Sequence, residues 1–215
     1  MNGNPSTYDR IIEDLRQSYD HMAEERDARP IEAWKIAERQ RFLSLLREEG
    51  KRSLLEIGSG TGAHSLFFQD NGLKVTSTDL SPANVELCRK KGLTAHLMDF
   101  LNLEFPDCSF DAVFALNCLI HVAQNDLPRV LEAVRAPLKF GGLFYMGAYG
   151  GKSQEGVWPG DHYRPKRFFS FLSDEQIKEI ATTFFDLVAF RRIPLEGESD
   201  FHFQSLILRR SPDFG

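Results

Sequence analysis

The stretch LLEIGSGTGAHS, residues 54–65, decides the fold. An apolar run closes at Glu56, and three glycines follow at alternate positions: Gly58, Gly60 and Gly62. Glycines at such a turn allow close backbone approach and dihedral angles that other residues resist. A helix opening behind them points its free N–H groups at whatever lies in the turn. The pattern therefore reads as a strand and helix joined around a nucleotide-like ligand. A tight turn with no ligand is the alternative, and the surrounding sequence has to decide.

Working outward, a strand–helix alternation takes over from residue 52. RSLLEI is a short apolar strand, followed by a helix from about Gly62 to Asn71. KVTSTD is the second strand, and Ser81-Pro82 caps a helix that runs to Lys91 and stops at Gly92. TAHLMD, FDAVFALN and GGLFYMGAY are three further strands, with a helix from about Asn125 to Leu138 between the last two. Runs that are apolar on both faces and divided by helices predict a parallel sheet covered on each side. Ser173-Asp174-Glu175-Gln176 is a capping box opening a helix to Phe185. DLVAFRRIPLE and DFHFQSLILRR then read as two strands paired antiparallel through a turn at Glu196-Gly197-Glu198-Ser199. Ahead of all this, residues 6–26 place Ile11, Ile12, Leu15, Tyr19 and Met22 at helical spacing, and a second helix is predicted from Pro30 to Gly50. Residues 1–50 thus form a helical extension, and residues 51–215 one continuous α/β domain.

Composition narrows the function. The chain has 215 residues, 42% hydrophobic and 27% charged, with a formal net charge of −5. The acidic balance and the lack of a basic run argue against a nucleic-acid partner. Arg164-Pro165-Lys166-Arg167 offers a local anion site at most and reads better as a solvated turn. Cys88, Cys108 and Cys118 have no CxxC spacing, which argues against a disulfide framework or a structural zinc, and no metal is expected. No secretory signal and no long apolar run is visible, so a cytoplasmic protein with no membrane partner, monomeric or homodimeric, is expected.

The ligand question turns on three acids. Gly58, Gly60 and Ala63 satisfy G-x-G-x-x-G/A, and a dinucleotide would place its ribose on Asp79. Against this stands Glu56: two like charges 4 Å apart cost about 4 kcal/mol at an effective dielectric of about 20, so a carboxylate beside a pyrophosphate is awkward. It suits a ligand carrying an ammonium and a sulfonium. Asp79 ends the second strand and Asp99 the third. In a parallel sheet those ends lie side by side along the ligand-binding edge, so Glu56, Asp79 and Asp99 are expected to line one crevice. Taken singly, each also reads as a solvated strand-end residue.

These motifs together resemble the class I S-adenosylmethionine-dependent methyltransferases. LLEIGSGTG is similar to the family's first motif, E/D-x-G-x-G-x-G, VTSTDLS to the second and HLMDF to the third. FDAVFALNCLIHV looks like the fourth strand with the segment behind it, and LKFGGLFYMGAY like the fifth. The resemblance covers about residues 52–210. It implies a Rossmann-like, seven-stranded mixed sheet, parallel but for one antiparallel strand, in the order 3-2-1-4-5-7-6, flanked by helices and roofed by an N-terminal helical lid. It implies S-adenosylmethionine as cofactor, with Gly58, Ser59, Gly60 and Gly62 bringing backbone against its amino-acid end and Glu56 supporting that end. Asp79, with Leu80 behind it, would take the ribose hydroxyls. Asp99 would take the adenine amine and Phe100 lie against the ring, with Asn117 near the methionine portion. Tyr19 resembles an N-terminal tyrosine that covers the cofactor, although it also fits the apolar stripe of its own helix.

Methyl transfer to a hydroxyl or amine requires loss of a proton and calls for a base. His121, four residues past Asn117, is the first candidate, and His162 and Tyr163 come next. For each, a purely structural role is the alternative. No D-P-P-Y or N-P-P-Y stands after the fourth strand and no proline precedes Cys118, which disfavours nucleic-acid bases and leaves a small-molecule acceptor. Other readings are a cofactor-binding partner without transferase activity and an NAD-dependent oxidoreductase. Selectivity is expected from the N-terminal helices and from residues 150–167, a Gly- and Pro-containing segment with Trp158, His162 and Tyr163 that reads as a lid. Phe168, Phe169 and Phe171 read as core.

Overall fold

Leu54 and Leu55 are neighbours on one strand, so they point to opposite faces of the sheet. Both are fully buried, which requires cover on two sides. The computed structural model describes residues 7–195 and 201–212 and supplies that cover. In chain order it contains α1 (Thr7–Asp27), α2 (Ala33–Glu48), β1 (Ser53–Ile57), α3 (Ala63–Asp70), β2 (Lys74–Asp79), α4 (Pro82–Lys90), β3 (Thr94–Leu97) and β4 (Phe110–Leu116). A short 3-10 turn (Leu119–His121), α5 (Leu127–Arg135), β5 (Leu138–Gly150), β6 (Gln154–Val157), β7 (Phe168–Phe171), α6 (Asp174–Thr182), β8 (Asp186–Pro194) and β9 (His202–Arg209) complete it.

The main sheet has the order β3-β2-β1-β4-β5-β9-β8, with β9 antiparallel to both of its neighbours. Counting only strands of that sheet, this is the expected 3-2-1-4-5-7-6 arrangement with one reversed strand. One face buries Leu55, Ile57, Val113, Phe144 and Met146 against α5 and α6. The other buries Leu54, Phe114, Leu143 and Tyr145 against Phe42 and Leu46 of α2 and Phe68 of α3. Phe114 and Tyr145, paired across β4 and β5, stack with ring centroids 4.7 Å apart. Ser173 caps α6 with both bonds of a capping box, as its sequence requires.

Two expectations need correction. Pro30 does not open the second helix: Glu32 at its N-cap is still extended, with φ −61° and ψ 141°, and the helix begins at Ala33. The far half of that helix packs Phe42 and Leu46 into the core. Residues 150–167 are not all loop, because β6 pairs with β7 in a separate antiparallel hairpin beside the sheet. The turn expected at Glu196–Ser199 lies outside the described residues.

Candidate active site

The glycines divide their work. All three have positive φ: +60° at Gly58, +54° at Gly60 and +85° at Gly62. A Cβ on Gly58 would lie 2.4 Å from Cys118 Cβ, and one on Gly62 would lie 2.6 Å from Leu93, so these two are fixed by packing. At Gly60 the nearest atom is an Arg26 guanidinium nitrogen at 3.9 Å, so the space beside it is open. That space belongs to a narrow cleft of about 70 Å³, lined by Gly58, Gly60, Asp79, Leu80, Phe100 and Asn117 among others.

The three acids separate. Asp79 faces the cleft and accepts hydrogen bonds from the amides of Gly60 (2.8 Å) and Ser81 (2.9 Å) and from Asn84 Nδ2 (3.1 Å). Glu56 does not reach the cleft. It is buried and accepts from the Ser65 hydroxyl, which also bonds Ser77, so it ties α3 to β1 and β2. Desolvation lifts its pKa to about 8, so the carboxyl is mostly protonated at neutral pH and offers no anion to a ligand. Glu56 thus lies behind the cleft wall, although its place in the sequence put it in the crevice. Asp99 lies beside the cleft, in a shallow depression with Ile12, Arg16 and Asn102, where it accepts from the Leu101 amide (2.8 Å) and Asn102 Nδ2 (2.6 Å). Ser59 is buried, and its amide donates to the Thr78 carbonyl at 2.9 Å.

Helix α1 roofs the cleft. Asp20 accepts hydrogen bonds from the Ser81 hydroxyl and the Ala83 amide, which fixes the helix over the end of β2. On the same helix face, two turns apart, Tyr19 and Arg26 point inward. The Tyr19 hydroxyl lies 2.6 Å from His121 Nε2, and His121 Nδ1 lies 2.7 Å from the Phe168 carbonyl. A carbonyl only accepts, so Nδ1 carries the proton and Nε2 presents its lone pair to the tyrosine O–H. Desolvation pulls the His121 pKa down to about 3, which keeps the ring neutral. Burial raises the Tyr19 pKa, opposed by Arg26 and Arg167.

Arg167 completes the network. Its Nη1 donates to the Tyr19 hydroxyl at 3.3 Å, its guanidinium lies 3.5 Å from the Tyr163 ring centroid, and it makes a two-pronged pair with Asp161 at 3.0 and 2.9 Å. Burial alone would raise the Asp161 pKa, but the Arg167 hydrogen bonds outweigh it and hold the pKa at about 2. Arg167 is therefore not part of a solvated turn. Tyr163 is buried and supports that guanidinium, while its hydroxyl accepts from Arg26 Nη1 at 3.3 Å. His162 is exposed, with its ring 4.8 Å from that of Tyr163.

Beyond the cleft lies a cavity of about 710 Å³, within the size range of small-molecule sites. Trp34, Tyr149, Trp158, Phe169 and Phe171 line it, together with His162 and Arg167. Phe169 and Phe171 are thus both buried and cavity wall. Tyr19, Arg26, Asn117 and His121 line the cleft and the cavity alike. Sequence reasoning missed Arg26, Trp34, Tyr149 and Asp161. Only Arg26 left a usable signal, its two-turn spacing from Tyr19.

The chain thus presents a Rossmann-like sheet with a glycine loop after β1 and an acid, Asp79, at the end of β2. Residues 54–142 match the family model described as a methyltransferase domain. That match runs from β1 into β5, the part of the sheet that carries the glycine loop and Asp79. The chain is 33% identical over 120 residues to a glycine/sarcosine N-methyltransferase of Parasynechococcus marenigrum, a match covering 51% of this chain and 42% of that protein. A malonyl-[acyl-carrier protein] O-methyltransferase of Serratia marcescens is 28% identical over 106 residues, covering 48% of this chain and 41% of its own. The chain thus spans less than half the length of these curated relatives. Among solved structures, the Burkholderia thailandensis 1,6-didemethyltoxoflavin-N1-methyltransferase, with bound 1,6-didemethyltoxoflavin and S-adenosylhomocysteine, superposes with a TM-score of 0.73. It is 18% identical and covers 99% of this chain and 94% of that one, a likeness of fold.

Proposed function

We propose that the chain transfers a methyl group from S-adenosylmethionine to a hydroxyl or amine N–H of a small molecule. The observation that carries this reading is the junction of the two cavities at Tyr19, Arg26, Asn117 and His121. A donor in the cleft and an acceptor in the larger cavity meet at those residues and nowhere else along the described walls.

The cleft residues fit the cofactor. Asp79 is an acceptor for ribose hydroxyls, Leu80 and Phe100 offer apolar surface to a base, and Gly60 leaves backbone open. Asn117 Oδ1 is buried without a hydrogen-bond partner, an acceptor suited to an ammonium group. Arg26 Nε is likewise buried and unpartnered, and its guanidinium beside Gly60 suits a carboxylate. When bound, S-adenosylmethionine supplies an electrophilic methyl group on a sulfonium. Tyr19 and Asn117 would align the acceptor, and alignment with exclusion of water supplies much of the rate in such displacements. His121 Nε2 would receive the acceptor's proton through the Tyr19 hydroxyl, and Nδ1–H stays on Phe168.

At about 70 Å³ the cleft is narrower than a site for a nucleoside, so α1 would swing aside for entry and close again. His21 of α1 donates to the Arg164 carbonyl at 3.0 Å, which joins the helix to the segment after β6 as one lid. The experiment is a labelled-methyl transfer screen of the purified protein against small metabolites. Label moving into a discrete small-molecule product is the expected result. Tight S-adenosylhomocysteine binding with no transfer to any acceptor would instead make this a cofactor-binding protein.

A further inference from the structure

The cavity beside the cleft has a chemical character of its own, and an inference from it rests on the reading just given. Its aromatic lining comes from two groups of rings. Trp34 of α2 meets Tyr149 of β5 edge-on, with centroids 6.1 Å apart. Trp158 meets Phe169 at 5.7 Å and Phe171 at 6.3 Å, both edge-on, and Phe169 stacks on Phe171. Planar surfaces at this density favour a planar guest.

The charges in the lining are mostly spent. Arg167 is neutralised by Asp161, and Lys35 by Glu32 at 2.8 Å. Arg26 turns to the glycine loop, where the cofactor's carboxylate would engage it. Among the described residues, no carboxylate in the wall is left over to hold an ammonium group, which an amino-acid or alkylamine acceptor requires. His121 adds a second limit. Buried and held neutral, with its pKa drawn down to about 3, it is a weak base. It can relay a proton from an acidic O–H or N–H far more readily than from an aliphatic alcohol.

We infer that the methyl acceptor is an uncharged, planar aromatic or heteroaromatic molecule with an acidic ring O–H or N–H, bound among Trp34, Tyr149, Trp158 and Phe169 with that group against Tyr19. The acceptor's oxygen or nitrogen lone pair forms the new bond to the methyl carbon, and the methyl–sulfur bonding pair stays on sulfur. The acceptor's proton passes to the Tyr19 oxygen as the tyrosine's own proton passes to His121 Nε2.

The test measures binding to the protein saturated with S-adenosylhomocysteine, by calorimetry and by tryptophan fluorescence. The probes are lumazine and 7-hydroxycoumarin, compared with glycine, ethanolamine and cyclohexanol. The two ring compounds are expected to bind saturably and quench fluorescence, and the other three to give no saturable signal. Trp158→Ala removes a half-exposed ring and should weaken ring binding about tenfold with S-adenosylhomocysteine affinity kept. Trp34→Ala checks the second ring group independently. Glycine or ethanolamine binding in preference to both rings, or ring affinity untouched by both substitutions, would overturn the inference and leave the methyltransferase reading standing. Failure of S-adenosylhomocysteine itself to bind would remove that reading and the inference with it.

Discussion

The cleft and the cavity meet at shared residues but are built by different means. Below its α1 roof, the cleft is lined mainly by residues at strand ends that succeed one another along the chain, from Gly58 to Cys118, two of them glycines. The cavity is made of side chains from α1, α2, β5, the β6–β7 hairpin and the segment between its strands, elements far apart in sequence. Backbone geometry ties a site to particular residue types, whereas a wall of rings can be rebuilt from any element near enough. In this fold the cleft can thus stay the same while the cavity decides what is bound beside it.

The largest effect that sharpens the contrast is expected at the junction. If the imidazole takes the acceptor's proton as proposed, His121→Gln should lower turnover about a hundredfold or more while changing S-adenosylhomocysteine affinity little. Steady-state kinetics beside calorimetry checks this. Equal losses in turnover and cofactor affinity would make His121 a support of the cleft instead.

A second comparison lies within the glycine loop. Gly58→Ala pushes a methyl into Cys118 and should destabilise by about 1–3 kcal/mol beyond the dihedral strain. Gly60→Ala meets no neighbour closer than 3.9 Å and should lose only what its positive φ imposes. Thermal unfolding of the two variants separates packing from strain; equal midpoints would refute the division of labour.

The smallest effect is on stability against pH. Glu56 has a pKa of 4.5 unfolded and about 8 folded, so its contribution is present at low pH and is lost as pH rises from 4.5 to 8. His121 and His64 go from 6.5 unfolded to about 3 folded, so their contribution is present above 6.5 and is lost as pH falls toward 3. Each group changes stability by at most about 1.4 kcal/mol per pH unit. Above 6.5 the imidazoles add nothing further while Glu56 goes on losing its proton, so the unfolding midpoint should fall between pH 6.5 and 8. Glu56→Gln should flatten the fall between pH 6.5 and 8 and leave stability rising more steeply between 4.5 and 6.5, and an unchanged alkaline limb would show that Glu56 is ionised in the fold.

These differences explain what could be read from the sequence. The strands and helices came from apolar runs, caps and glycine stops, each a local signal, whereas the strand order came from the family resemblance. Asp79 and Gly60 came from their place at strand ends. Glu56 occupied the expected position, but its direction is set by Ser65 and Ser77, a tertiary choice that spacing does not report. The β6–β7 hairpin was hidden because β6, Gln-Glu-Gly-Val, lacks an apolar alternation and gains its order from pairing with β7. Arg167 looked like a surface cation because Asp161, its buried partner, is recognisable only once the segment has folded back.

The most direct test is a calorimetric titration of the whole chain and its Asp79→Ala variant with S-adenosylhomocysteine and with NAD. Saturable one-to-one binding of S-adenosylhomocysteine and none of NAD is expected. Loss of hydrogen bonds to a charged acceptor costs about 1.5–3 kcal/mol, so the variant should bind roughly ten- to a hundredfold more weakly while remaining folded. NAD binding tighter than S-adenosylhomocysteine, or an unchanged dissociation constant in a folded Asp79→Ala protein, would contradict the assignment of the cleft to the methyl donor.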